Sequence, residues 1–191
     1  MRIDENRVLM FNTLGLIALS FPLIGALVDQ LIMGAYPCPL CLLQRMAMFL
    51  VAVGILMNLR FGIHQCHYGI SILGALLGAS ISLRQILLHI VPVTGESSGY
   101  GPEVLGMHLY TWAFVIFCAA ILAIALAMIL FDIDEKKSEV KKPARKMKRL
   151  EKAVFYGFIA MAAINVLAVF LECGIAPCPD NPTSYELLEK L

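Results

Sequence analysis

Long apolar runs, separated by short polar stretches, dominate the chain. Five of them reach the length of about 20 helical residues that a hydrocarbon core requires. They run from about Val8 to Met33, Cys41 to Leu59, Tyr68 to Val93, Val104 to Phe131 and Ala153 to Leu171. Each is expected to be a helix, because lipid offers no hydrogen-bond partner to an unpaired backbone group. The pattern therefore predicts an all-α fold, a polytopic membrane helix bundle.

Composition agrees. The 191 residues are 60% hydrophobic and only 15% charged, against about 25% charged in ordinary soluble domains. The placement of charge is more informative than the net value of +1. Nine of the fifteen Lys and Arg residues fall between Lys136 and Lys152. That loop, between the fourth and fifth spans, is expected to be cytoplasmic by the positive-inside rule. Counting back places the loop with Arg60, His64 and His67, and the amino terminus, on the same side. The loops at 34–40 and 94–103 then face outward and hold no Lys or Arg. An odd number of spans puts the acidic tail after Leu171 outside. The first run lacks a small-residue cleavage signal and is expected to be a retained span. The basic loop is explained by topology, with lipid or partner contact as the alternative. There is no nucleic-acid signature.

Six cysteines sort by depth. Cys38, Cys41, Cys173 and Cys178 fall on the outer side, where disulfides persist. Cys66 falls in the short inner loop and Cys118 in the middle of the fourth span. Pro37-Cys38-Pro39 reappears as Pro177-Cys178-Pro179. Proline on both sides disfavours helix before the cysteine and holds it in an extended or turning segment. Cys38-Pro39-Leu40-Cys41 has the spacing of a small-ring redox disulfide. At the start of the second span, the helix N-terminus and Arg45 both favour a thiolate at Cys41, which would make the pair active in exchange. Two other readings stay open at this level. The four outer cysteines could bind zinc, since Cys-x-x-Cys is a common half-site. They could also form inert bridges, although a two-residue loop constrains little chain entropy. No Cys-x-x-Cys-His follows, so haem attachment is unsupported.

The stretch Pro37-Cys38-Pro39-Leu40-Cys41-Leu42-Leu43-Gln44-Arg45 resembles the signature of the disulfide bond formation protein B (DsbB) family. Leu83-Arg84-Gln85-Ile86-Leu87-Leu88-His89-Ile90-Val91-Pro92, at the end of the third span, resembles a second family segment. The resemblance covers roughly residues 10–131. It implies a quinone-dependent oxidant of a periplasmic, DsbA-type thioredoxin-fold partner in the bacterial inner membrane. It further implies that Cys38 and Cys41 pass two electrons to ubiquinone or menaquinone. Arg45 would stabilise developing negative charge beside the quinone. Gln44 and Arg84 are further candidates for the quinone site, with snorkelling as the plainer account of either arginine. His89 is a weaker one.

The chain departs from the family at two places. Family members carry a second cysteine pair in the loop between spans three and four. Here residues 92–102 hold none, and Tyr100-Gly101-Pro102 stands where Cys-Gly-Pro is common. Members also end soon after the fourth span, whereas this chain adds a basic loop, a fifth span and a tail. The tail is expected to supply the missing pair as Cys173 and Cys178, tethered on the same side. The expected organisation is a four-helix DsbB-like membrane domain at 1–131, a basic loop at 132–152, a fifth transmembrane helix at 153–171 and a periplasmic tail at 172–191. Gly74-x-x-x-Gly78 predicts a close intramolecular helix approach, Asn165 a hydrogen bond across helices, and Ser184–Leu191 a short amphipathic helix on the membrane.

Overall fold

The computed structural model describes residues 5–89, 103–131, 146–174, 178, 184, 185 and 187. The cysteine-free loop, most of the basic loop and most of the tail helix expected at 184–191 lie outside them. Five long apolar helices are present: α1 Glu5–Leu31, α2 Pro39–Phe61, α3 Gln65–His89, α4 Leu109–Leu130 and α5 Arg149–Cys173. Each is long and apolar enough to cross a membrane, so the chain is a multi-pass membrane protein. Leu and Ile side chains along the outward faces, among them Leu73, Leu77, Leu122 and Ile129, remain exposed for lipid.

The helix ends follow local chemistry. The fourth helix starts at Leu109 rather than near 104, because a two-stranded hairpin precedes it. Its strands β1 Glu103–Val104 and β2 Met107–His108 pair antiparallel, with Glu103 opposite His108. Leu105 and Gly106 both take positive φ, 54° and 76°, as a two-residue hairpin turn requires. Hydropathy alone could not separate this apolar hairpin from the helix after it. The fifth helix starts one turn earlier than its apolar run, because the Glu151 carboxylate accepts from the Lys148 backbone N–H at 2.8 Å and caps the first turn.

α2 packs most extensively on α3, and α3 on α4, while α5 lies against α1 and α2. Small residues permit the closest approaches. A Cβ on Gly74 would meet the Val51 backbone nitrogen of α2 at 2.8 Å, and one on Gly78 would overlap the Phe117 ring of α4. The Gly74-x-x-x-Gly78 spacing thus serves two neighbours within one chain.

At the end of the bundle where α2 meets α3 lies a neutral polar cluster. Asn12 donates to the Tyr68 hydroxyl at 2.7 Å, Asn58 donates to the Asn12 carbonyl at 3.3 Å, and His67 pairs with the Asn58 carbonyl at 2.9 Å. Asn165 does not bond across helices among the described residues. Its amide returns to the Met161 carbonyl of its own helix at 3.0 Å, and its side-chain oxygen is left without a partner.

Candidate functional site: the cysteine end of the bundle

Cys38 is the N-cap of α2, extended at φ −68° and ψ 161°, with Pro39 as the first helical residue. Proline suits that position because its missing N–H would be unpaired there anyway. The Cys41 backbone N–H donates to the Cys38 sulfur at 3.3 Å, so the helix end serves Cys38 directly. The two thiol sulfurs stand 2.8 Å apart, within an ångström of the disulfide bond length of about 2.05 Å. The hydrogen bond shared with Cys41, and then burial, push the Cys38 thiol above the ordinary cysteine range.

Gln85 of α3 reaches both sulfurs. Its amide N–H₂ lies 3.4 Å from Cys38 Sγ and 3.5 Å from Cys41 Sγ. Its carbonyl accepts from the Gln44 amide at 2.8 Å. The Gln85 side chain is fully buried, so its amide has no water to bond with and is oriented by these partners. Arg84, one residue earlier, is exposed and does not line the cavity described below. The third helix therefore presents Gln85, not Arg84, to the cysteines. The sequence held a signal for this. Ser71, Gly74, Ala75, Gly78, Ser82 and Gln85 form the buried stripe of α3 at helical spacing, and Arg84 falls off it.

Beside Cys41 opens a cavity of about 350 Å³ between α1, α2 and α4, within the range of small-molecule sites, roughly 300–1,000 Å³. Cys41, Gln44 and Arg45 form its polar wall, with Asp29 of α1. Pro22, Met48, Ala113 and Ile116 supply apolar surface, and Tyr110 and Trp112 stand on the α4 side. Arg45 is almost fully buried. Its guanidinium donates to the Ala26 carbonyl at 2.9 Å and to the Gln30 side-chain carbonyl at 2.6 Å. An arginine held by two such bonds is not snorkelling to an interface.

Above α4, the rings of His89, Tyr110 and His108 stack at 5.4 and 5.2 Å, and His108 faces Glu103 at 3.4 Å. His89 is thereby occupied in packing, and its ring also bonds the Gln85 backbone carbonyl, one turn earlier, at 2.8 Å.

The tail pair lies at this same end. Cys173, the last residue of α5, is disulfide-bonded to Cys178. Glu172, just before it, accepts from the Gln30 amide at 2.8 Å, which places the disulfide beside the Gln30–Arg45 pair. Tyr185 of the tail meets Tyr36 edge-on at 5.1 Å. Of the seven residues expected at the site, all but Arg84 thus gather at one end of the bundle. Gln30, Gln85 and Glu172 join them and were not expected. Cys66 is exposed at the start of α3 and Cys118 is a half-buried thiol within α4. Among the described residues, no group of three or more His, Cys, Asp or Glu side chains could hold a metal ion.

Comparison with known proteins points the same way as the geometry. The family model described as Disulfide bond formation protein DsbB matches residues 7–98. Disulfide bond formation protein B of Pseudomonas syringae pv. tomato is 31% identical over 156 residues, covering 65% of this chain and 90% of the relative. Disulfide bond formation protein B 1 of Pseudomonas savastanoi pv. phaseolicola is 32% identical over 144 residues, covering 59% of this chain and 83% of the relative. Disulfide bond formation protein B 1 of Pseudomonas fluorescens is 28% identical over 156 residues, with 65% and 90% covered. No solved structure matches. A bundle of membrane-length helices, a Cys-x-x-Cys pair at a helix start and relatives matched over most of their own length lead to one conclusion: the chain belongs to the disulfide bond formation protein B (DsbB) family of membrane proteins.

Proposed function

We propose that the protein reoxidises a periplasmic, DsbA-type thioredoxin-fold protein and delivers the electrons to quinone in the bacterial inner membrane. The observation that carries this reading is the placement of Cys41. Its sulfur is 2.8 Å from Cys38 Sγ, and it lines a cavity of about 350 Å³ together with Gln44 and Arg45. The largely apolar lining with one polar wall fits a quinone ring, and the buried Arg45 offers a fixed cation for its oxygens. Quinone, when bound there, supplies an acceptor for two electrons and two protons and leaves as quinol. Ubiquinone and menaquinone share this chemistry.

The protein's own groups do the rest. A reduced partner dithiol attacks the Cys173–Cys178 disulfide, and resolution of the mixed disulfide releases oxidised partner and leaves the tail as a dithiol. The tail dithiol reduces the Cys38–Cys41 disulfide by the same exchange and regains its own bond. Cys38 and Cys41 then give up two electrons and two protons and close again. Gln85 holds the two sulfurs, Gln44 holds Gln85, and neither bears a charge. In this reading residues 1–131 form the quinone-reducing domain, 132–152 a cytoplasmic loop, 153–171 the fifth span and 172–191 a periplasmic tail that takes the place of the missing loop pair. The amino terminus is cytoplasmic and the carboxyl terminus periplasmic.

Quinone reduction by a reduced thioredoxin-fold donor, measured on single Cys→Ser variants, tests the reading. Full turnover by Cys38→Ser and Cys41→Ser would defeat it. Full turnover by Cys173→Ser and Cys178→Ser alone would instead show that the donor attacks Cys38–Cys41 directly. The rival reading, a metal protein using the four outer cysteines, needs four thiolates converging on one ion. Metal content after purification under reducing conditions separates the two.

A further inference from the structure

Glu172 is the residue at the cysteine end whose burial the redox scheme does not explain. It is fully buried at the end of α5. One carboxylate oxygen accepts from Gln30, and the other has no partner among the described residues. Burying a carboxyl with an oxygen unmatched is costly, so the position calls for a function beyond packing. The hydrogen-bond chain supplies one. Glu172 Oε2 accepts from Gln30 Nε2 at 2.8 Å, and Gln30 Oε1 accepts from Arg45 Nη1 at 2.6 Å. A guanidinium only donates and a carboxylate only accepts. The bridging amide therefore has a single orientation that satisfies both, with its carbonyl toward Arg45 and its N–H₂ toward Glu172. Glu172 fixes that orientation from the far side. Gln30 itself is almost fully buried, so no water can replace either partner.

We infer that Glu172 is a positioning residue for quinone binding: through Gln30 it holds the Arg45 guanidinium at the cavity wall, so that α5 contributes to the quinone site as well as carrying the tail cysteines. The inference rests on the reading that Arg45 faces the quinone. It gives the fifth helix a second role, since Glu172 lies beyond the residues matched by the family model, 7–98. Asp29 also lines the cavity and acts on the Arg45 charge. It makes no side-chain hydrogen bond in the chain described; the Tyr185 hydroxyl also meets the Gln30 side chain, so Glu172 is the charged one of the two groups that orient it.

Trp112 makes this measurable without turnover. It is the only tryptophan in the chain and lines the cavity. Binding of a short-chain ubiquinone to the purified full-length protein is read by quenching of its fluorescence. Glu172→Ala should weaken binding about tenfold, the effect of one lost hydrogen bond in a charged network. Gln30→Leu should weaken it by a similar factor. Because the two residues act in series, the double variant should be no worse than either single. Glu172→Gln keeps an acceptor for the Gln30 amide and should bind within about twofold of the parent.

Parent-like binding by Glu172→Ala, alongside weakened binding by Arg45→Ala, would overturn the inference and leave the quinone site intact. Multiplying losses in the double variant would also overturn it, as would Glu172→Gln binding as weakly as the alanine variant. Parent-like binding by Arg45→Ala would remove the underlying reading and the inference with it. Where Glu172→Ala does not fold, Gln30→Leu and Glu172→Gln carry the test, and parent-like binding by Gln30→Leu overturns the inference.

Discussion

Two cavities lie along the same helices and share the Ile116 wall, yet their chemistry differs. The one at the Cys38 end, about 350 Å³, is bounded by a thiol, a guanidinium, a carboxyl and an amide. The one at the opposite end, about 300 Å³, is bounded by Asn12, Tyr68, Phe11 and aliphatic side chains. Its polar groups belong to the Asn12–Asn58–Tyr68 network, and none of the buried side-chain atoms left without a partner comes from it. At the cysteine end, Ser82 and Glu172 each leave a buried side-chain oxygen unmatched, as Asn165 does within α5. Neutral, matched groups inside a membrane bundle are enough to hold helices together. Charged and unmatched groups at the same depth are a cost that structure alone does not justify, and they mark the place where chemistry occurs. The proposed division of labour follows: one half holds the helices in register, and the other moves electrons.

The division can be broken by variants whose effects fall on the wrong side of it. The largest expected effect is that of Cys41→Ser, which should lower the rate of quinol formation by at least about a thousandfold. Asn58→Leu should leave that rate within about twofold, and an equal loss from both would erase the distinction. Arg45→Ala should cost about a hundredfold in the same assay, the scale of a lost charge stabiliser. Arg45→Lys should recover only part, because an ammonium cannot reproduce the forked contacts to Ala26 and Gln30. Gln85→Leu should slow quinol formation about tenfold, since both sulfurs lose their shared donor.

At the opposite end the response should appear in stability. Asn58→Leu should lower the unfolding free energy by about 1–3 kcal/mol by leaving Asn12 and His67 short of a partner. Gly78→Ala, in the middle of α3, should likewise cost about 1–3 kcal/mol by forcing Phe117 aside. Reversible unfolding in mixed detergent micelles measures both. The smallest effect is expected from Arg84→Ala, within about twofold in rate and near zero in stability, because the side chain stands outside the cavity.

The sequence made much of this legible, for specific reasons. The spans were readable because lipid enforces long apolar helices. Their ends were readable only where hydropathy changes with structure, which is why the Val104–Met107 hairpin was absorbed into the fourth span. Cys38, Cys41, Gln44 and Arg45 lie within two turns of one helix, so a local motif displays them together. Gln30, Gln85 and Glu172 join through contacts 15, 41 and 142 positions apart, and no local pattern in a single sequence pairs such residues. Polar side chains near the ends of apolar spans were the available clue for Gln30 and Glu172. For Gln85 the clue was the small-residue stripe of α3.

The central claim is that Cys38 and Cys41 reduce quinone at the cavity that Cys41 borders. A single-turnover experiment addresses it most directly. The full-length protein carrying Cys173→Ser and Cys178→Ser, in which no tail dithiol can re-reduce the pair, is fully reduced and mixed anaerobically with one equivalent of a short-chain ubiquinone. Quinol is followed by absorbance, and the cysteine state is read by mass spectrometry of thiol-trapped peptides. One quinol is expected for each Cys38–Cys41 disulfide formed, whereas in the parent the disulfide should move on to Cys173–Cys178. Quinol formation in the Cys41→Ser variant, or quinol appearing in the tail variant while Cys38 and Cys41 stay reduced, would contradict the claim.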